Sequence, residues 1–397
     1  MTLPADGDAG LIVKPFRGIR YAPDRVGDIA GVTSPPYDVI GPGVLSSLLS
    51  SSPYNSVRLI LPGPSSAAEA GAMAAGRLDD WLRSGVLVRD PRPGIYIYEQ
   101  NGPSGLQRGI IALVRVGPPS ASGIHPHEAV MPGPVAGRKA LMEATRANLE
   151  PIFLVYNGGG APLPAGTPLV STVTPDGVTH RLSAVTGAAG DGLAAGLSGG
   201  TALIADGHHR YAAYRELSES FPGSGPWDYG LAFLVDADAF PPRLGAIHRV
   251  LPFLEAEEAA RRAAAGFTVR CLPDDLDAGL RLVSETQGAA FLLSGPDRYW
   301  LLSRPGDGRL DAEVLRDVLL GDLWGITDNE HDVGISHDAA EAVSMARSAS
   351  PAGAAVLCAP VPFEAVRDIA AAGEVVPRKS TSFGPKPRTG LVFRGFD

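Results

Sequence analysis

The sequence predicts an α+β protein built on mixed sheets. Apolar runs of strand length are punctuated by Gly and Pro. Helical stretches do not alternate with them regularly, and there is no internal repeat, which together point away from a repeating doubly wound fold. Three short apolar runs come first: Leu11-Ile12-Val13, Ser34-Pro35-Pro36-Tyr37-Asp38-Val39-Ile40 and Val57-Arg58-Leu59-Ile60-Leu61. Residues 67–84 are expected to be helical, with Leu78, Trp81 and Leu82 at helical spacing. The runs 95–100 and 107–114 read as a hairpin around Asn101-Gly102-Pro103-Ser104-Gly105. Residues 137–149 are expected to be helical and 152–156 a strand. Two strands flank the turn Pro175-Asp176-Gly177, and 229–236 is another strand. The character changes near Pro252, where a first domain over 1–252 gives way to a second, smaller α/β domain over 253–397. There a helix over 254–266 precedes runs at 291–293, 299–302 and 355–357.

Composition narrows the function classes. The chain has 397 residues, 45% hydrophobic and 19% charged, enough to bury a large core. A formal net charge of −9 argues against a protein that coats nucleic acid, and no nucleic-acid partner is expected. Cys271 and Cys358, the two cysteines, exclude a cysteine-rich zinc module and a disulfide framework. Met1–Gly10 shows no signal-peptide pattern, and no apolar run approaches the roughly 18 residues of a membrane span, so a cytoplasmic location is expected.

The richest segment is Thr201–Tyr214. An apolar run ends at Asp206, Gly207 permits a tight turn, and His208, His209 and Arg210 open a helix. A strand-to-helix turn aims backbone N–H groups at one point, where the helix dipole favours anions. Arg210 adds a forked donor for phosphate or carboxylate, and Asp206 a carboxylate for a metal ion or a proton. For His208 and His209 the plainer reading is packing at the helix start.

Two further polar clusters stand apart from the apolar pattern. One is His125-Pro126-His127-Glu128, followed by a helix on which Arg138 shares a face with Leu141, Met142, Thr145 and Leu149, with Asn148 at its edge. Arg138 either points into a polar pocket or snorkels to solvent. The other is the basic segment 374–390, containing Lys379, Ser380, Thr381 and Lys386. It is either a solvated tail or a loop closing over a phosphate, and the apolar Leu391-Val392-Phe393 favours its return to a sheet. The histidines with Glu128 and Asp206 offer zinc or iron ligands, but no HExxH or other tight ligand spacing occurs. Mg²⁺ held by a carboxylate together with a nucleotide phosphate suits these residues better. P-loop and Gly-x-Ser-x-Gly signatures are absent.

The motifs Pro15–Arg20, Pro35–Ile40, Pro126-His127-Glu128, Ala144–Asn148, Asp206–Tyr211 and Pro377–Thr381 run in one order over nearly the whole chain. Together they resemble the 1015 family of domains of unknown function. One departure stands out. After Pro132-Gly133-Pro134 the family shows an aspartate before the arginine, whereas Gly137 precedes Arg138 here. The Asp206–Arg210 block is also similar to the phosphate-contacting motif of the ParB/sulfiredoxin-like superfamily, which includes kinases of free serine. That resemblance implies a ParB/sulfiredoxin-like nucleotide-binding core. It also implies phosphoryl transfer from ATP or ADP, with Mg²⁺, to free serine, a related amino acid or a polyol. In these terms Glu128, Asp206 and His209 are the expected catalytic residues, Glu128 as general base and Asp206 also as metal ligand. Gly207, His208, Arg210, Arg138, Lys379, Ser380, Thr381 and Lys386 are expected at the phosphates, and His127, Asn148, Tyr37 and Asp38 at the acceptor. A ParB-like regulator without turnover and a metal-dependent hydrolase are the alternatives. A regulator of the partition type calls for a helix-turn-helix with a basic recognition helix, and the sequence shows neither.

Overall fold

The computed structural model describes residues 10–63, 66–329, 331–377 and 379–396. The N-terminal reading over Met1–Ala9 and Arg378 of the basic segment lie outside the described residues. By its contacts the chain divides into two units. One comprises residues 1–126, 130–242 and 385–397, and the other 127–129 and 243–384. The division falls at Pro242, against the boundary expected near residue 252, and the last residues of the basic segment belong with the first unit.

In the first unit, Ala202–Asp206 is a strand buried along its whole length. It pairs parallel with Ile124–His125 and antiparallel with Ile152–Tyr156. The sheet continues through Tyr229–Asp236, Gly105–Arg115, Gly94–Gly102 and Thr179–Thr186 to Thr167–Val173, with Val13–Lys14 added beside Gly105–Arg115. Both pairing senses occur in these nine strands, so the sheet is mixed and the fold is α+β. The strand runs are almost continuously apolar because both faces of the sheet are covered. Ile97, Ile110, Leu154 and Leu234 pack with helix residues Met142, Tyr211 and Leu217 on one face. Tyr98, Phe153 and Phe233 pack on the other, Tyr98 edge-on to Phe233 at 5.1 Å and Phe153 tilted against it at 5.6 Å between ring centroids. Burying each such side chain contributes about 1.5–3 kcal/mol, so this sheet is a rigid floor for whatever its strand ends carry.

The helix expected over 137–149 is shifted. It spans Pro132–Thr145, because Pro132 and Pro134 lie in its first turns, where a missing N–H is harmless and φ is already helical. It ends where Arg146 adopts φ 50°, and Ala147–Asn148 turns away as a strand. That strand joins Phe393–Gly395, which also pairs with Gly18–Tyr21, itself bound to Leu87–Arg89. The chain end thus returns to a sheet, as Leu391-Val392-Phe393 led one to expect. The helix expected over 67–84 is Ala67–Arg83, started by a reciprocal Ser66–Glu69 capping box.

The second unit carries a six-stranded antiparallel sheet in the order Thr268–Leu272, Tyr299–Arg304, Ala289–Ser294, Ala354–Cys358, His248–Leu251 and Gly334–Ser336. Alternate residues of its central strand face opposite cores. Phe291 and Leu293 meet the Ala256–Ala263 helix and the turns at Leu315–Trp324, while Ala290 and Leu292 meet Val283, Ala342 and Ala346. The helix expected over 254–266 is confined to Ala256–Ala263. Among the described residues no helix is long and apolar enough to cross a membrane.

Candidate functional site

The strand-to-helix turn builds the first unit's polar cluster. Strand Ala202–Asp206 delivers Asp206 at its end, and the His208–Ser220 helix starts directly after Gly207. Gly207 sits at φ 96°, a conformation that costs an L side chain about 1–2 kcal/mol. A Cβ there would also lie 3.0 Å from Ile152 Cγ2 and 3.1 Å from Arg210 Nε. Helix pitch returns Arg210 to the acid, where Nη2 donates to Asp206 Oδ2 at 2.5 Å and Nη1 donates to the Pro151 carbonyl at 2.6 Å. Arg210 Nε is buried, with no hydrogen-bond partner among the described residues. Burial works against the Arg210 charge, and the carboxylates of Asp206, Glu150 and Asp38 outweigh it, raising its pKa. His209 Nε2 accepts from the Met131 N–H at 3.1 Å, tying this turn to the start of the Pro132–Thr145 helix.

A second cation meets the same acid. Lys386 Nζ contacts Asp206 Oδ1 and donates to Asp38 Oδ2 at 2.7 Å. Asp38 comes from the short turn Tyr37–Val39. Burial opposes the Lys386 charge, but the two aspartates prevail and raise its pKa. Asp206, expected as a Mg²⁺ ligand, therefore does not fit that role as it stands. Each of its oxygens already faces a cation. Among the described residues no group of three or more His, Cys, Asp or Glu is arranged to hold a metal.

Beside this cluster lies a pocket of about 280 Å³, counting its space open to solvent, lined by Arg138, Met142, Asn148, Glu150, Arg210 and Tyr214 among others. Arg138 points into it and not out to solvent. Its Nη1 donates to the Ile60 carbonyl at 2.9 Å and stands 3.8 Å from Glu150, and its guanidinium lies 4.4 Å from the Tyr37 ring. Burial pushes the Tyr37 pKa up, with Arg210 and Arg138 pulling it back. Asn148 is buried, and its Oδ1 accepts from Arg394 at 3.0 Å. Glu150 escaped the sequence reading. It is 5% exposed, and Oε1 accepts from the Tyr37 N–H and the Thr389 hydroxyl. Its signal was an acid set between Leu149 and the strand that follows, hidden while 137–149 was read as one helix.

The remaining expected residues gather in the second unit. His127 is fully buried, its Nε2 shares a 2.7 Å hydrogen bond with the Thr381 hydroxyl, and its ring packs against Phe383. Glu128 Oε1 accepts from the Lys379 N–H at 2.7 Å, where Lys379 adopts φ 53°. The Ser380 hydroxyl donates to the Pro377 carbonyl. The basic segment thus divides, with Lys379, Ser380 and Thr381 beside Glu128 and His127, and Lys386 beside Asp206.

The chain was compared with known proteins. A free serine kinase variant solved with AMP matches at TM-score 0.39 and 14% identity, covering 68% of this chain and 89% of that one. SbnI from Staphylococcus aureus, truncated at its C-terminus, matches at TM-score 0.40 and 14% identity, covering 71% and 85%. A conserved hypothetical protein from Pyrococcus furiosus matches at TM-score 0.39 and 14% identity, covering 68% and 90%. Scores of this size assign no activity. A search of curated proteins returned no match. The model of the family described as "Protein of unknown function (DUF1015)" matches residues 13–323, and the chain belongs to that family.

Proposed function

We propose that the protein is a phosphotransferase that moves a phosphoryl group from ATP or ADP to the hydroxyl of a small metabolite, such as free serine, a related amino acid or a polyol. The observation that carries this reading is Arg210. It is 4% exposed, locked by Asp206 and the Pro151 carbonyl, and lies in the first turn of the His208–Ser220 helix. A fixed guanidinium at a helix start is a preorganised anion site. Lys386 and Arg138 add hydrogen-bond donors in the same unit, and Glu150 and Asn148 line the neighbouring pocket.

Phosphoryl transfer asks chiefly for positioning and charge neutralisation. The terminal phosphoanhydride bond of the nucleotide breaks, and a phosphorus–oxygen bond forms to the acceptor hydroxyl. The hydroxyl proton leaves to a carboxylate. Arg210 and Lys386 hold the phosphate oxygens and stabilise the charge that moves onto the departing nucleotide.

The test is direct. The full chain is incubated with ATP or ADP and a panel of amino acids and polyols, with and without Mg²⁺, and phosphorus NMR is used to look for new phosphoesters. A phosphoester formed by the native protein and lost in Arg210→Ala supports the reading. Absence of product with every donor and acceptor pair overturns it.

A further inference from the structure

We propose that Lys386 is the resident cation of the Asp206 site, standing where a divalent metal would otherwise bridge Asp38 and Asp206, so that Asp206 binds no metal in the working protein. The proposal rests on reading this cluster as the phosphate site. Its test reads cation binding, not turnover, so the two fail separately.

The geometry comes first. One ammonium spans two carboxylates from distant segments, Asp38 Oδ2 at 2.7 Å and Asp206 Oδ1. The side chains of Lys386, Asp206 and Asp38 are 17, 9 and 22% exposed, so the pair is held largely away from water. Asp206 Oδ2 is taken by Arg210 at 2.5 Å. Among the described residues two carboxylates therefore face two cations, and their charges balance without a metal. Adding a divalent ion to this arrangement would bury a net charge of two, unless Lys386 left.

The backbone argues that Lys386 stays. Pro385 and Pro387 flank it, and proline fixes its own φ and restricts the residue before it. The Pro385 carbonyl accepts from Gln100 Nε2 at 3.0 Å, and the Arg388 N–H donates to the Tyr98 hydroxyl. Arg388 Nε donates to the Thr33 hydroxyl at 2.8 Å, and Thr389 exchanges both backbone bonds with Ser34. The lysine is presented from a strap anchored on both sides. An ammonium has three donors, and two are spent on the aspartates. The third is available to an incoming phosphate oxygen, which gives Lys386 the bridging position between carboxylates and phosphate that a metal would hold.

The experiment titrates Mn²⁺ into the nucleotide-free full chain and follows free Mn²⁺ by electron paramagnetic resonance. The native protein is expected to show no saturable site. Lys386→Met is expected to gain one, tighter by about tenfold or more than any native binding, and Lys386→Met with Asp206→Asn is expected to lose it. Stoichiometric Mn²⁺ binding by the native chain that Asp206→Asn abolishes would overturn the proposal. So would a folded Lys386→Met protein with no new site. If that variant does not fold, Lys386→Ala is melted in the presence of free propylammonium. A rise in its melting temperature, absent when Asp206→Asn is added, supports a cation seat, and no rise overturns it.

Discussion

Arg210 and Asp206 form a 2.5 Å ion pair across a single strand-to-helix turn, and Gly207 between them is held at φ 96°. Both side chains are almost fully buried, so losing either one leaves the other's charge short of its nearest counter-ion. Arg210→Ala should lower stability by about 3 kcal/mol and abolish nucleotide binding. Arg210→Lys keeps the charge but loses the fork that serves both Asp206 and the Pro151 carbonyl, so it should recover little of the binding. Urea titration and calorimetric binding of ATP and ADP check both variants.

Gly207 tests the turn itself. Gly207→Ala should destabilise by about 2 kcal/mol, since the left-handed backbone disfavours an L side chain and the new methyl meets Ile152 and Arg210. Because the methyl presses on Arg210, nucleotide affinity should fall by more than the loss in stability explains. Binding measured well below the melting temperature separates the two effects.

Two buried histidines set the acid limit. His180 lies between the Tyr98 and Thr174 hydroxyls, and burial lowers its pKa to about 4. Burial does the same to His248, also to about 4, and His248 Nδ1 accepts from the Cys358 N–H, which requires the neutral ring. The folded pKa lies below the unfolded one, so folding favours the unprotonated form. The stabilisation is complete above the unfolded value of about 6.5 and is lost as pH falls toward 4. Each histidine should remove about 3 kcal/mol over that window. Stability measured from pH 7 to pH 4 should show a shallower decline for His180→Asn than for the native chain.

Gly137 stands where the family resemblance implies an acid. A Cβ at this helix position meets nothing within 4 Å, so Gly137→Asp should fold normally and gain ~0.3 kcal/mol from leaving glycine's helix penalty. A thermal melt below that of the native chain would contradict this. The phosphorus NMR panel repeated on the variant tells whether the acid changes which acceptor is used.

Glu128→Gln probes the base role that the family resemblance implies. The amide keeps an oxygen for the Lys379 N–H, so the local fold should persist. Loss of a general base should lower kcat by about 100-fold or more while nucleotide affinity is unchanged. Steady-state kinetics with calorimetry is the check, and an unchanged kcat would remove Glu128 from the chemistry.

Much of this could be read from local pattern. The strand at 202–206, the turn at Gly207 and the hairpin over 94–115 follow from apolar runs and turn residues, which act over a few neighbours. Pro132-Gly133-Pro134 misled because proline breaks helix interiors yet starts helices, and the pattern alone does not say which. Glu150 lies just beyond that helix, and local pattern alone does not show that an acid there is buried.

By itself the sequence determined the α+β class, the Asp206–Arg210 turn and the chain's return to a sheet near Phe393. Each depends on near neighbours and on hydrophobic periodicity. Only the tertiary structure decided that Lys386 joins Asp38 and Asp206 while Lys379 joins Glu128. It likewise decided that Arg138 turns inward toward Glu150 and the Tyr37 ring. A charged side chain has no periodicity of its own. Its partner is chosen by which distant segments the packed sheet brings within hydrogen-bond reach, and by the cost of leaving a buried charge unpaired.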